Sequence, residues 1–159
     1  MMASDSKCTD DFNAFCTRTP KVYRLPNRAL LGCAGDADSR DVIELLGGVS
    51  IKKLPTRAEL AATKCEFAGL LVFPNGTIYF VDISPPEAAH SEWTASMLEC
   101  KERFAAVGSG YQFAIGAMAA GRSAKQAVEI AARYDIQSGA PVIEHPLKPT
   151  PTAPKKAKK

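Results

Sequence analysis

The chain has 159 residues, 46% of them hydrophobic and 23% charged, and a net charge of +3. This length and apolar content favour one domain with a real core over two domains. No apolar stretch reaches the roughly 18 residues of a membrane-spanning helix, and residues 1–7 lack the basic and apolar pattern of a secretory signal, so we expect a cytoplasmic protein with no membrane partner.

The first half of the chain predicts a hairpin followed by two helices. Residues 21–25 alternate polar and apolar, 26–28 form a turn, and 29–35 run apolar into a glycine. Residues 36–39 then supply caps for a helix over 41–46, which Gly47 and Gly48 end. Thr56 and Glu59 have the spacing of a capping box and open the second helix.

The second half predicts three strands, two helices and a last strand. Residues 68–73 and 77–81 flank Pro74-Asn75-Gly76, a typical hairpin turn. A third strand is predicted over 103–107, before Gly108-Ser109-Gly110, and a helix rich in Ala and Gly over 111–120. Ser123 and Gln126 form a capping box for an amphipathic helix up to Tyr134, and 141–145 form the final strand.

Strands and helices that come in separate runs favour an α+β fold over alternating βαβ units. The order fits a four-layer α/β/β/α sandwich of antiparallel sheets, formed by residues 1–147. Residues 148–159 hold five Lys and no acidic residue, which leaves 15 basic and 17 acidic residues in the rest of the chain. Such a tail could contact nucleic acid or another acidic surface, but we favour the alternative that this Pro-rich and Lys-rich segment is disordered and solvated.

The cysteine and histidine content gives no support for a metal or disulfide framework. The five cysteines are odd in number and widely spaced, and the two histidines, His90 and His145, are isolated. We expect reduced thiols, no metal and no cofactor.

Five short segments hold the residues that could carry chemistry. They are Ser4-Asp5-Ser6, Pro20-Lys21-Val22, Gly32-Cys33-Ala34-Gly35, Val107-Gly108-Ser109-Gly110 and Tyr134-Asp135-Ile136-Gln137-Ser138-Gly139. Each alone is typical of a surface or a turn. In this order, together with the order of elements, they resemble the N-terminal-nucleophile (Ntn) peptidases of the proteasome β-subunit type. The resemblance covers about residues 3–145 and is greatest for small HslV-like proteins of phage and bacterial genomes.

The resemblance implies a threonine peptidase site. In that family an N-terminal threonine attacks the peptide carbonyl, and its own α-amino group is the base. Asp5 matches the aspartate beside the nucleophile, Lys21 the lysine that keeps it poised, and the N–H of Gly35 the oxyanion donor. Ser109, Asp135 and Ser138 match the polar shell that orients the amine. A buried lysine needs a carboxylate partner, so we predict that Asp5 and Lys21 form an ion pair.

The chain departs from the family at the nucleophile. Only residues 1–4 precede Asp5, where the family has a strand that begins with threonine. One hypothesis is a peptidase subunit whose true start lies upstream, so that these 159 residues alone are inactive. The alternative is a non-catalytic structural or interaction module that has lost this strand. The resemblance further implies a homo-oligomeric ring, polypeptide substrates if the subunit is active, and a separate ATP-dependent unfoldase.

Overall fold

The computed structural model describes residues 1–10, 13–18, 20–35, 39–87 and 92–148, and their side chains except those of 8–10, 13–18 and 35. The described residues form nine strands and four helices. Every strand pair is antiparallel, and the helices come in two adjacent pairs. The fold is therefore mixed α+β with antiparallel sheets, as the order of predicted elements indicated.

The largest sheet has five strands in chain order. They are β4 (Val22–Arg24), β5 (Leu30–Gly35), β6 (Phe67–Val72), β7 (Ile78–Ser84) and β8 (Thr94–Cys100). Side chains alternate between its faces, so Leu30 and Leu31 belong to different clusters of buried residues, as do Leu70 and Leu71. Gly69 has no side chain because the Phe67 ring lies 2.6 Å from where its Cβ would be.

The turn between β6 and β7 forms as its sequence predicts. Gly76 has φ +93° and its N–H donates to the Phe73 carbonyl at 2.8 Å. The Asn75 carboxamide oxygen accepts from the N–H of Thr77 at 3.1 Å. A glycine at the position of positive φ lets the chain reverse without strain.

One face of the large sheet is covered by α1 (Arg40–Gly47) and α2 (Arg57–Ala61). Val42 and Leu46 of α1 and Leu60 of α2 are fully buried against strand residues that include Leu31 and Leu71. The predicted capping box of Thr56 and Glu59 opens α2. Ser39 precedes α1 without a side-chain capping bond, and the other predicted caps, residues 36–38, lie outside the described part of the chain.

The other face of the sheet carries a second, two-stranded sheet. Its strands are β1 (Met2–Ser4) and β9 (Ile143–His145), and Met2 packs against Val22, Leu30 and Leu70 of the large sheet. Helices α3 (Tyr111–Ala119) and α4 (Ala124–Tyr134) pack together through alanines, and α4 contacts β1. The predicted capping box of Ser123 and Gln126 opens α4.

The structure corrects the prediction of a strand over 103–107. These residues form no ladder with any described strand, and the last strand of the large sheet is instead β8, in the stretch before them. The sequence analysis also missed β1 and the hairpin of β2 (Lys7–Asp10) and β3 (Asn13–Arg18). A strand is defined by its neighbour, and an apolar run does not show whether a neighbour is present.

Two further expectations are only partly covered by the structure. Among the described helices, none has the length and apolar character needed to cross a membrane. The predicted basic tail lies outside the described residues from position 149 onward.

Candidate functional site

An ion pair joins the segment after β1 to the segment before β4. Lys21 Nζ lies 2.8 Å from Asp5 Oδ1, and the side chains are 28% and 12% exposed. Lys21 is held in place because its carbonyl accepts from the N–H of Cys33 in β5 at 2.7 Å. The predicted pairing of Asp5 with Lys21 is therefore present, and it joins residues 16 positions apart.

The second oxygen of the Asp5 carboxylate is bound by backbone donors. Oδ2 accepts from the N–H of Gly139 at 3.0 Å and from the N–H of Lys7 at 3.3 Å. Three donors, one of them charged, thus surround this half-buried carboxylate. Such bonds fix the direction of the carboxylate, which in turn fixes Lys21.

A second cluster is centred on Asp135, directly after α4. Ser109 and Ser138 each donate from Oγ to Asp135 Oδ2 at 2.6 Å, and the N–H of Gln137 donates to Oδ1 at 3.2 Å. Burial raises the pKa of Asp135, but the hydrogen bonds from Ser109, Ser138 and the Gln137 N–H outweigh it, so the pKa is lowered. Asp135 is therefore a carboxylate at neutral pH.

The two clusters meet at neighbouring residues of one turn. Ser138 binds Asp135, and Gly139, the next residue, binds Asp5. Gly110 keeps this turn close to α3, because a Cβ there would lie 2.9 Å from Ser138 Oγ and 3.2 Å from Asp135 Oδ2. Five of the six residues predicted for the site therefore belong to these two hydrogen-bonded clusters, which the Ser138–Gly139 peptide unit joins into one network: Asp5, Lys21, Ser109, Asp135 and Ser138.

Gly35, the sixth predicted residue, is not joined to this network. It ends β5 opposite Phe67 in β6, two residues after the position that pairs with Lys21. It therefore lies at the same end of the sheet as Lys21, and its assignment as oxyanion donor stays a prediction.

Cys33 lies next to Lys21 but does not have the properties of a nucleophile. Burial raises the pKa of its thiol to about 12, a hydrogen bond with Ser39 acts in the opposite direction, and Cys65 nearby adds to the rise. At neutral pH nearly all of this side chain is the unreactive thiol.

A cavity of about 580 Å³ extends from this network between the two sheets. Asp5, Lys21, Ser109 and Ser138 line it at its polar end, and Met1–Ser4 and Arg103–Gly110 line it along its length. The remaining walls come from the large sheet and from the two alanine-rich helices and are mostly apolar, with Arg122 and Ser123 between the helices. Four of the six predicted site residues therefore line one end of a cleft whose other walls are mostly apolar.

Three contacts that support the site were not anticipated from the sequence. Ser6, 3% exposed, donates to the carbonyl of Pro141 at 2.8 Å, and Lys7 Nζ donates to the carbonyl of Ile136. The Lys7 side chain also packs on Gly139, where a Cβ would meet it at 2.9 Å. These contacts bring the segment after β1 to the loop after α4. No sequence motif marks them, because the two segments are about 130 residues apart.

Metal ligands are not grouped anywhere in the described part of the chain: no set of three His, Cys, Asp or Glu side chains there could hold an ion.

Comparison with solved structures finds 12 matching chains. A chain described as Thiobacillus denitrificans BPH matches this structure with a TM-score of 0.57 over 89% of this chain and 88% of that chain, at 21% sequence identity. No protein-family model and no curated protein matches the sequence. At this identity the match shows a shared fold over nearly the whole chain, and nothing about activity.

Proposed function

We propose that this chain is the body of a threonine peptidase subunit of the proteasome β type, and that its nucleophile is supplied by a strand outside these 159 residues. One observation carries the proposal: Asp5, Lys21, Ser109, Asp135 and Ser138 form one network at the end of a cleft. They come from four separate parts of the chain, and folding alone does not require such a set of polar residues at one point.

The stacking of the elements supports the same proposal. Helices α1 and α2, the large sheet, the β1–β9 sheet and the pair α3 and α4 follow one another through the molecule. This order agrees with the four-layer α/β/β/α sandwich of Ntn hydrolases that the resemblance implies. The proposed family rests on this stacking and on the site residues. The match to a solved structure supports the fold alone.

In the proposed reaction, a threonine hydroxyl attacks the substrate carbonyl and its proton passes to the α-amine, whose ordinary pKa is about 7.7 to 8.0. The tetrahedral intermediate collapses, the C–N bond breaks, and the leaving amine takes the proton. Water then hydrolyses the acyl ester. The positive charge of Lys21, held by Asp5, lowers the cost of the negative charge that develops near it. Asp135, with Ser109 and Ser138, would orient the α-amine.

Labelling of an N-terminal threonine tests the proposal. The protein is produced from its native gene, its intact mass is measured, and it is treated with a peptide electrophile that must react with both a hydroxyl and a free α-amine. We expect a mass above that of the 159-residue chain, threonine at the mature end and stoichiometric labelling. The purified 159-residue product should neither be labelled nor cleave an acyl-coumarin peptide.

Two controls separate the proposed function from its alternative. Lys21→Ala should abolish labelling of the native product, whereas Glu99→Gln, in the exposed ion pair with Lys101, should leave it unchanged. A native product with the mass of the 159-residue chain and no labelling would reject the peptidase and support a non-catalytic module. Neither ring formation nor an unfoldase partner is needed for this result.

A further inference from the structure

One row of paired residues ends the large sheet on the side away from the candidate site. The row crosses all five strands and consists of Arg24, Leu30, Val72, Ile78 and Cys100. Because neighbouring strands are antiparallel, the turns at 25–29 and 73–77 and the segment after β8 lie together at this end.

Three other segments reach the same end. Helix α4 ends at the site, so the turn between α3 and α4 lies about 16 Å from it, at 1.5 Å a residue. Strand β9 runs away from the site, and the Arg24 guanidinium donates to the carbonyls of Pro146 and Leu147 directly after it. The Asn27 carboxamide donates to the Val49 carbonyl at 2.9 Å, which brings the loop after α1 to this end.

The side chains at this end are mostly positive. In residues 24–28, 48–53, 73–77, 99–103, 120–125 and 145–148 the basic side chains are all exposed, and they are Arg24, Arg28, Lys52, Lys53, Lys101, Arg103, Arg122, Lys125 and Lys148. We call this surface the basic end. Its acidic residues are Glu99 and Glu102, and Glu99 is paired with Lys101 at 2.7 Å. Among the described residues, none of its other bases forms an ion pair.

The basic end contrasts with the charge of the chain as a whole. Outside residues 148–159 the sequence holds 15 basic and 17 acidic residues, so an even distribution would leave no positive surface. Burial and, after it, the positive charge of Arg24 lower the pKa of His145, which lies at this end. Like charges gathered on one surface repel each other, and a bound polyanion would remove that cost.

The basic tail follows directly from this surface. Lys148 is the last described residue, and Lys155, Lys156, Lys158 and Lys159 come after it in the sequence. The sequence alone favours a solvated tail without a partner. The structure adds that the tail begins at a surface that is itself basic, so the two can contact one linear polyanion together.

The uncharged residues of the basic end favour nucleic acid over an acidic protein. Specific protein interfaces have an apolar centre, and Ile51, 40% exposed, is the one large hydrophobic side chain exposed in these described segments. No aromatic side chain is exposed in them, so the bases of a single strand would have no ring to stack on. Arginine guanidinium groups bind phosphate oxygens through two parallel hydrogen bonds.

We propose that the basic end, extended by the lysine tail, binds the phosphate backbone of a nucleic-acid duplex without reading its sequence. This function is additional to the proposed peptidase. The bound duplex lies across the end of the molecule that is opposite the candidate site. Phosphate contacts of this kind give affinity that depends strongly on salt and hardly at all on base sequence.

Binding is measured on the purified 159-residue protein by fluorescence anisotropy. The probes are labelled DNA and RNA duplexes of about 20 base pairs, at about 50 to 200 mM KCl. For DNA we expect log Kd to rise with log salt concentration with a slope of about 4.5, as for about five neutralised phosphates. Two duplexes of unrelated sequence should bind within about threefold of each other. Absence of binding at the lowest salt concentration would overturn the proposal.

Charge-neutral variants locate the contact. The combination of Arg28→Gln, Arg103→Gln and Arg122→Gln should lower the slope by about 2.7 and weaken binding at least about tenfold. The matched control is Arg133→Gln, in the last turn of α4 at the opposite end of the molecule, and it should leave both unchanged. All four residues are exposed, and thermal unfolding followed by circular dichroism verifies the fold of each variant.

A chain that ends at Lys148 separates the folded surface from the tail. It should bind more weakly than the full chain but still with a clear dependence on salt. If this shortened chain does not bind, and the triple arginine variant of the full chain binds as the parent does, the tail alone is the binding element and the proposal is wrong.

An acidic peptide distinguishes the remaining alternative. A chain of about 20 glutamates carries one charge per about 3.3 Å when extended, against one per about 1.7 Å for DNA. It should therefore compete for the protein at least about tenfold less well than unlabelled duplex. Equal competition would indicate an acidic protein partner and would also overturn the proposal.

The two proposals fail separately. The duplex is tested on the 159-residue chain, which has no threonine nucleophile of the proposed kind, so the result does not depend on peptidase activity. Failure of duplex binding rejects the basic end as a nucleic-acid surface, whatever the labelling of the native product shows.

Discussion

The two faces of the large sheet differ in their packing. On the face covered by α1 and α2, large side chains such as Leu31, Leu46 and Leu71 are fully buried. On the opposite face a smaller cluster around Met2 and Leu70 borders a cavity, and the covering helices meet through alanines. The first face holds the larger buried cluster, and the second carries the cleft and the polar network at its end.

The strongest test of this comparison uses neighbours in β6 that point to opposite faces. Leu71→Ala leaves a closed cavity in the packed face, so we expect a loss of about 3 kcal/mol in the free energy of unfolding. Leu70→Ala enlarges a cleft that already exists, and we expect about 1.5 kcal/mol, the transfer term alone. Urea denaturation followed by circular dichroism measures both. Equal losses would show that the two faces are packed alike.

The next test concerns the ion pair at the polar end of the cleft. Asp5→Ala leaves Lys21 partly buried without its partner and removes the acceptor for Gly139 and Lys7, so we expect a loss of about 2 kcal/mol. Adding Lys21→Met should recover part of it. Glu99→Gln breaks the exposed pair with Lys101 and should cost less than about 0.5 kcal/mol. Similar losses for Asp5→Ala and Glu99→Gln would contradict the structural role of the partly buried pair.

The smallest expected effect is the pH dependence of the second cluster. The pKa of Asp135 is lowered, since the hydrogen bonds it accepts outweigh burial, so its contribution to stability is present above its unfolded pKa of about 3.9. That contribution is lost as the pH falls through the lower folded pKa. Ser109→Ala should raise the pKa of Asp135 toward its ordinary value, as measured by carboxyl NMR titration.

The matched control for this titration is Ser84→Ala. It removes a similar serine-to-carboxylate bond, to Asp82, in another part of the molecule. The pKa of Asp135 should not change. A pKa that is equally unaffected by Ser109→Ala would mean that the bond between Ser109 and Asp135 does not form in solution.

Prediction from sequence succeeded where a structure depends on a few adjacent residues. The turn at Pro74-Asn75-Gly76 and the capping boxes of Thr56 and Ser123 formed as expected. It failed for residues 103–107 and for β8. Both stretches contain apolar residues, and only the position of neighbouring chain decides which of them forms a ladder. Residues of the candidate site were selected through a resemblance, and the structure brings five of the six together.

The sequence by itself determined the turns, the helix caps and the alternation of polar and apolar side chains along the strands. It also determined that Lys21, if buried, requires a carboxylate partner. These depend on residues within about four positions of one another, or on the chemistry of one side chain. Only the tertiary structure decided that Asp5 meets Lys21 and Gly139, that Ser109 meets Asp135, and that β1 borders a cleft. These contacts join residues 16 to 134 positions apart, so they depend on how whole faces pack, and no local pattern encodes that packing.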